Sequence, residues 1–437
     1  MKKSKYIIVS LLSAMALTSC SLFKDDDIVV ENHFNTKGQV EEQKEAEATI
    51  NGVESTTVND VPNTLVFKNI VYSNLEGNKI KNTYIEDAPY SFKYNVNGGE
   101  NYDVDKNNNN FDLYVPKSAD KTKDQNVVLF IHGGAWISGL KTHVNPYVKE
   151  FANNGYIAAT IEYTLLSQDM NDSSLSIFRD LDEIDACLST MRESLIELGY
   201  NEDNLHLVLG GASSGAHLAL LYAYSRDAVN RKCPFKDIKF LIDAVGPTEI
   251  NENAWKAFKY DTVDQYNDFL DEGIRLDTID YRSSHDELQD LQVAGQTYYW
   301  NEYQTMRIAN GMCGLPFSLS EVEDAARNEE TEADHDSPVY KSIVGPILGQ
   351  TSGEEYLSVT HYMTDENKIP MICAYAGQDA VVGVAQFAGL EAILETFGPE
   401  YEYEFFYFKN CGHVNLDSDT DTYNAFMAKI LNWMATK

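Results

Sequence analysis

Between Phe111 and Ala244 short, nearly wholly apolar runs alternate with longer amphipathic ones, and this alternation restricts the fold more than any other property of the chain. Phe111-Asp112-Leu113-Tyr114-Val115 reads as a strand stopped by Pro116, and Val127 to Ile131 is the continuous apolar run of a strand buried in a parallel sheet. The pattern then predicts a helix over Val144 to Asn153, a strand over Tyr156 to Tyr163 and a helix over Phe178 to Leu198. The last of these carries an apolar stripe through Leu181, Ile184, Cys187 and Leu188. A strand over Leu205 to Leu209, a helix over Ser214 to Tyr224 and a strand over Ile238 to Ala244 follow. Strand and helix taking turns specify an α/β fold, an open, mostly parallel central sheet with helices on both faces. The rhythm lapses and resumes with a strand at Met371 to Tyr375, a helix at Val382 to Glu395, a strand at Glu404 to Phe408 and a helix at Tyr423 to Met434.

The gap between the two halves is an insertion. Residues 250–335 are largely helical by pattern, over Trp255 to Leu270, Asp286 to Ala309 and Leu319 to Asn328, the last with Ser320 and Glu323 spaced as a capping box. Open α/β sheets bind ligands at the carboxyl ends of their strands, so an insertion placed there reads as a helical cap, or as helical padding of the sheet. Within it Tyr298, Tyr299, Trp300 and Tyr303 read as core aromatics or as a platform for sugar rings. The chain thus divides into 1–20, a leader; 21–60, a flexible tether; 61–249, the first part of the main domain; 250–335, the insertion; and 336–437, the second part. Residues 63–99 carry short aromatic groups between glycines and are expected to form an antiparallel edge.

The leader has a basic start at Lys2, Lys3 and Lys5, and an apolar run from Tyr6 to Leu17 that is short for a membrane span. Leu17-Thr18-Ser19-Cys20 resembles a bacterial lipobox, which implies lipid attachment at Cys20, and Lys24-Asp25-Asp26-Asp27 resembles the acidic export signal of bacterial surface lipoproteins. The expected location is therefore the outer membrane, reached through the anchor. With 68 acidic against 34 basic residues, a formal charge of −34, the chain has no basic stripe for a polyanion, which excludes nucleic acid as a partner. Cys187, Cys233, Cys313, Cys373 and Cys411 are scattered, which suits neither a disulfide framework nor a metal site. A dinucleotide fingerprint, a P-loop and a zinc motif are all missing, so no cofactor is expected.

Gly211-Ala212-Ser213-Ser214-Gly215 stands between a predicted buried strand and a predicted helix. A G-x-S-x-G in that setting makes a sharp turn that lifts the serine hydroxyl above the sheet, its small residues avoiding clashes on either side. Ser213 is accordingly the candidate nucleophile. His132-Gly133-Gly134-Ala135-Trp136 follows the strand ending at Ile131, where a second loop can supply backbone N–H groups to a developing oxyanion. Gly134, Ala135 and Ser214 are the expected donors, His132 and Gly133 the supports of the loop, and Trp136 a packing residue beneath it. The order serine, acid, histidine places the partners later in the chain. Asp379 follows the strand Met371 to Tyr375 and His413 follows the strand Glu404 to Phe408, so both lie on loops at strand ends. Asp243, Asp417 and Asp419 are the weaker candidates for the acid, and His217 reads as a packing or hydrogen-bonding residue behind the nucleophile.

Taken together, Phe111 to Pro116, His132 to Trp136, Gly211 to Ala219 and Gly246-Pro247-Thr248 resemble the successive markers of carboxylesterases related to hormone-sensitive lipase and to the BD-FAE esterases. The resemblance covers roughly 90–250 and 370–435. It implies an α/β-hydrolase fold, a triad of Ser213, Asp379 and His413, and hydrolysis of small or medium acyl esters, often acetyl or feruloyl groups on sugars. A small-molecule or polysaccharide ester is thus the expected substrate. Ser214 and Ala216 stand where relatives often have Ala and Gly, and the insertion is longer than usual. A peptidase or amidase with the same triad, and a binding lipoprotein on an inactive scaffold, are the alternatives.

Overall fold

The computed structural model describes residues 47–72, 79–81, 101–103, 109–166, 177–228, 231–250, 310–312, 317–326, 337–339, 357–377, 379, 381–382 and 384–437. Cys20 and the whole leader lie outside them, as do Tyr298, Tyr299, Trp300, Tyr303 and the insertion helices expected over 255–270 and 286–309. Among the described residues no helix is long and apolar enough to cross a membrane.

The stretch expected to be tether as far as residue 60 is folded over its described part. Strands β1 (Thr49–Ile50) and β2 (Val53–Glu54) form a hairpin in which Asn51 and Gly52 have φ of 50° and 77°, the backbone that an Asn-Gly turn favours. Ile50 is fully buried, and Thr56 bridges to Val66. Next come β3 (Thr64–Val71), β4 (Lys79–Lys81) and β5 (Asn101–Asp103), of which β4 and β5 pair antiparallel with each other.

Strands β6 (Asn110–Pro116) and β7 (Gln125–Ile131), helix α1 (Asn145–Asn153), β8 (Ile157–Glu162), α2 (Ile177–Glu197), β9 (Leu205–Ala212), α3 (Ser214–Ser225) and β10 (Ile238–Ala244) carry the alternation read from the sequence. Beyond the insertion lie β11 (Met371–Ala376), α5 (Val384–Thr396), β12 (Tyr403–Phe408) and α6 (Thr420–Thr436), with α4 (Leu319–Ala326) inside it. The main sheet has eight strands in the order β12-β11-β10-β9-β7-β8-β6-β3. Only β6 runs against the others: it pairs antiparallel with β3 and β8, and every other neighbouring pair is parallel. The architecture is that of an α/β-hydrolase.

Successive side chains of a strand point to opposite faces, so continuous apolar runs feed two cores. Val127, Leu129 and Ile131 join Leu205, Leu207, Leu209, Met371, Cys373 and Tyr375 beneath α2, α3 and α5. Val128, Phe130, Val208, Ile242 and Ile372 join the other core beneath α1 and α6, where Phe151, Phe426, Ile430 and Trp433 are buried. The expected stripe of α2, Leu181, Ile184, Cys187 and Leu188, is entirely buried.

The capping pair of α4 differs from the expected Ser320 and Glu323. Ser318 precedes the helix, its N–H and hydroxyl both donate to Glu321 Oε2 (2.9 and 2.7 Å), and its hydroxyl accepts from the Glu321 N–H (3.4 Å). The helix starts at Leu319, two residues too early for Ser320 to precede it. The entry and exit of the long segment between β10 and β11 are tied together. Val359 N–H donates to Thr248 O (2.8 Å), Ile250 N–H to Ser358 Oγ (2.9 Å), and the Gln386 side chain of α5 accepts from the N–H groups of Thr248 and Glu249 (2.8 Å each).

Candidate active site

Ser213 sits at the junction of β9 and α3 with φ 56° and ψ −127°, a conformation that L-residues adopt only when the surroundings enforce it. Enforcement comes from both sides: Ser213 N–H donates to Ala244 O on β10 (2.8 Å), and Ser213 O accepts from His217 N–H (3.1 Å). The flanking small residues are required by close backbone approach. A Cβ at Gly215 would stand 2.2 Å from Ile131 O and 2.4 Å from His132 O, so any larger residue would push the helix start away from β7. The amino end of α3 begins directly after the hydroxyl-bearing residue, and its partial positive charge favours an anion there.

The structure brings Ser213, His413 and Asp379 into one hydrogen-bonded line. His413 Nε2 lies 2.8 Å from Ser213 Oγ, and His413 Nδ1 lies 2.7 Å from Asp379 Oδ2. The second carboxylate oxygen, Oδ1, accepts from the N–H groups of Val381 and Val382, both at 2.8 Å. An ionised carboxylate can only accept, so Nδ1 carries the imidazole proton and Nε2 presents its lone pair to the serine O–H. The loop bearing the histidine is held by Cys411 N–H to Phe408 O (3.1 Å) and Gly412 N–H to Asn415 Oδ1 (2.7 Å). Asp419, one of the weaker acid candidates, is occupied elsewhere: it caps α6 through Thr422 N–H (3.2 Å) and Thr422 Oγ1 (2.8 Å). Asp417 lies in the helical turn Leu416–Ser418.

The second loop lies against the nucleophile. A Cβ on Gly133 would fall 2.8 Å from Ser213 Cβ, so the glycine permits contact that no other residue could make. His132 Nδ1–H donates to Gly133 O (2.8 Å), and Gly134 O accepts from Ile137 N–H, Ser138 N–H and Ser138 Oγ (3.2, 2.9 and 2.8 Å). Across a trans peptide the N–H points opposite to the carbonyl, so anchoring these two oxygens turns the Gly134 and Ala135 N–H groups the other way. Among the described residues those two N–H groups and that of Ser214 make no hydrogen bond to the protein. Ala135 and Trp136 both hold positive φ, 52° and 63°. Burial pushes the His132 imidazole down to about 4, so it stays neutral and acts as a strut.

Trp136 is buried beneath this loop. Its Nε1–H donates to His217 Nδ1 (3.3 Å), and His217 Nε2–H donates to Leu357 O (2.8 Å). Burial holds His217 down to about 4, so a neutral ring links loop, helix and the exit of the insertion.

Asp243 is fully buried at the end of β10 and makes no bond to His413. Its Oδ1 accepts from Gly246 N–H (2.8 Å), and its Oδ2 lies 2.7 Å from the Tyr375 hydroxyl, which also lies 2.9 Å from Gly246 O. One phenolic proton cannot satisfy both oxygens fully; a protonated Asp243 donates to Tyr375, which passes its own proton to Gly246 O. Burial raises this acid from 3.8 to about 7, in keeping with that proton count. Across that window the folded state keeps a proton that the unfolded chain releases, so stability falls as pH rises from about 4 to about 7 and is level above it. Asp243→Asn donates and accepts in the same places without titrating. We expect it to melt about 5 °C above the wild type at pH 8 and to lose the difference near pH 4. Calorimetry across that range checks this, and parallel curves for the two proteins would remove the linkage.

Tyr163, beside His132, and Tyr375, beside Asp243, were not legible as site neighbours, because each reads as the apolar end of a strand and only the sheet order reveals what it faces. The four described cysteines are free: Cys187, Cys373 and Cys411 are buried and Cys233 is half-buried, while Cys20 and Cys313 lie outside the described residues. Among the described residues no group of acidic, histidine or cysteine side chains is placed to hold a metal ion.

Residues 111–275 match the BD-FAE family. A probable isoprenylcysteine alpha-carbonyl methylesterase of Oryza sativa subsp. japonica is 33% identical over 115 residues, 26% of this chain and 25% of that protein. A non-reducing polyketide synthase of Stereocaulon alpinum is 29% identical over 143 residues, 31% of this chain and 5% of the synthase. The chain therefore spans a quarter or less of the curated relatives it matches. Among solved structures, a truncated carbohydrate esterase from gut microbiota covers 84% of this chain and 98% of its own at 12% identity, with a TM-score of 0.47. Esterase B from Lactobacillus Rhamnosis covers 83% and 88% at 13% identity, with a TM-score of 0.46.

Proposed function

We propose, from the premise that this chain is an α/β-hydrolase related to the BD-FAE family, that it is a serine carboxylesterase acting on small or medium acyl esters, with acetyl or feruloyl groups on carbohydrates as the substrate class. The observation that supports it best is the line from Ser213 Oγ through His413 to Asp379, with both hydrogen bonds under 3 Å. In this reading His413 Nε2 takes the serine proton as Oγ attacks the ester carbonyl, and Asp379 stabilises the imidazolium that results. The carbonyl oxygen, now negative, is received by the N–H groups of Gly134, Ala135 and Ser214. His413 then protonates the leaving alcohol. A water molecule, deprotonated by the same imidazole, attacks the acyl-serine and returns the enzyme to its starting state.

Matched aryl acetate and aryl acetanilide substrates, together with acetylated and feruloylated xylan, test the reaction class and the substrate class in one panel. The expected result is ester cleavage orders of magnitude faster than amide cleavage, with release of acetate or ferulate from the polymer. Equal rates on ester and amide would replace the esterase by an amidase. Cleavage of aryl esters with no release from either polymer would remove the carbohydrate.

A further inference from the structure

The two sides of the oxyanion site come from separate stretches of chain, the loop after β7 and the start of α3, and a buried side chain from a third stretch, directly after β8, lies beside both. We propose that Tyr163 is a positioning residue for the oxyanion hole, fixing the spacing between the His132–Trp136 loop and the amino end of α3. This rests on the serine-hydrolase reading above.

Tyr163 directly follows β8 and is 1% exposed. Its ring stacks on that of His132, with centroids 4.4 Å apart and planes at 14°, and its hydroxyl donates to His132 O at 3.3 Å. That carbonyl is also the group against which Gly215 packs, since a Cβ there would stand 2.4 Å from it. The phenol thus holds the oxygen at the point where loop and helix meet. On the helix side it neighbours the Ser214 hydroxyl, which is buried and draws the acidity of the phenol back against burial. Burial and then the adjacent Asp180 still push Tyr163 far above its ordinary value, so the hydroxyl remains a donor at any working pH. Asp180 is itself fully buried, and among the described residues neither of its carboxyl oxygens has a hydrogen-bond partner.

Tyr163→Phe keeps the stack and removes the donor, leaving a buried carbonyl without its side-chain partner. A loop displaced by a few tenths of an ångström misdirects the Gly134 and Ala135 N–H groups in the transition state more than it affects ground-state binding. For an aryl acetate we expect kcat to fall about thirtyfold with KM within about twofold of the wild type, since loss of a whole oxyanion donor costs about a hundredfold or more. A trifluoromethyl ketone, which adds to the serine and places its oxyanion in the hole, should lose affinity by the same factor. A competitive product carboxylate should bind unchanged. A Tyr163→Phe protein with wild-type kcat and ketone affinity overturns the proposal, as does an equal loss of ketone and product affinity. If that variant is too unstable to assay, Tyr163→Gln keeps a donor and loses the stack, and the same ratio of ketone to product affinity decides. A wild-type protein that forms no adduct with the ketone would instead sink the serine-hydrolase reading itself.

Discussion

A Ser213→Ala variant is expected to lose ester hydrolysis by about a millionfold in kcat and to take up no fluorophosphonate, while the wild type is labelled stoichiometrically on Ser213. The size of the loss follows from the geometry. Ser213 Oγ is the atom within 2.8 Å of His413 Nε2, so without it the imidazole has no alcohol to activate. Folding should be barely affected, because the bonds that hold the strained residue, to Ala244 O and from His217 N–H, are made by its backbone. The melting temperature should therefore match the wild type, separating lost chemistry from lost structure. Activity within tenfold of the wild type in a pure preparation would place the nucleophile elsewhere.

Asp379→Asn should lower kcat at neutral pH by about ten-thousandfold, with little change in melting temperature. The two oxygens of Asp379 do different work. Oδ1 accepts from Val381 and Val382, and an asparagine would keep its carbonyl oxygen there to avoid setting its amide group against two N–H donors. The amide nitrogen is then forced towards His413 Nδ1 and, being a donor, requires that nitrogen to accept. The imidazole proton moves to Nε2, where it can no longer take a proton from Ser213. Steady-state kinetics with the slow label reaction alongside would measure both steps. A loss under tenfold would show that Asp379 does not set the tautomer, and Asp243 would be the next acid to vary.

Much of this site was legible because its parts follow from local rules. The glycines at 211 and 215 around Ser213, between a buried strand and a helix, specify the turn; Asp379 and His413 follow strands, and parallel strands deliver their following loops to one end of the sheet. What the sequence could not display is lateral order. That β7 and β8 pair side by side, with Ile131 opposite Ile161, depends on a pairing across an intervening helix, so the burial of Tyr163 against His132 had no local signature. The β1–β2 hairpin escaped for a different reason: two-residue strands are too short to show alternation, and its cue, Asn51-Gly52, lies in an otherwise polar stretch. The cap of α4 slipped by two residues because Ser318 and Ser320 each have an acid three positions on, Glu321 and Glu323, and sequence alone does not rank them.

The joining of residues 248–250 to 358–359 bears on how such a protein diversifies. A polypeptide that departs and returns through one gateway imposes no spacing on the sheet, and the entropic cost of a longer excursion grows only with the logarithm of its length. The strands that carry Ser213, Asp379 and His413 are therefore insulated from changes in the intervening segment. Its length and composition are free to drift under selection for new substrates while the bond-breaking apparatus keeps its dimensions.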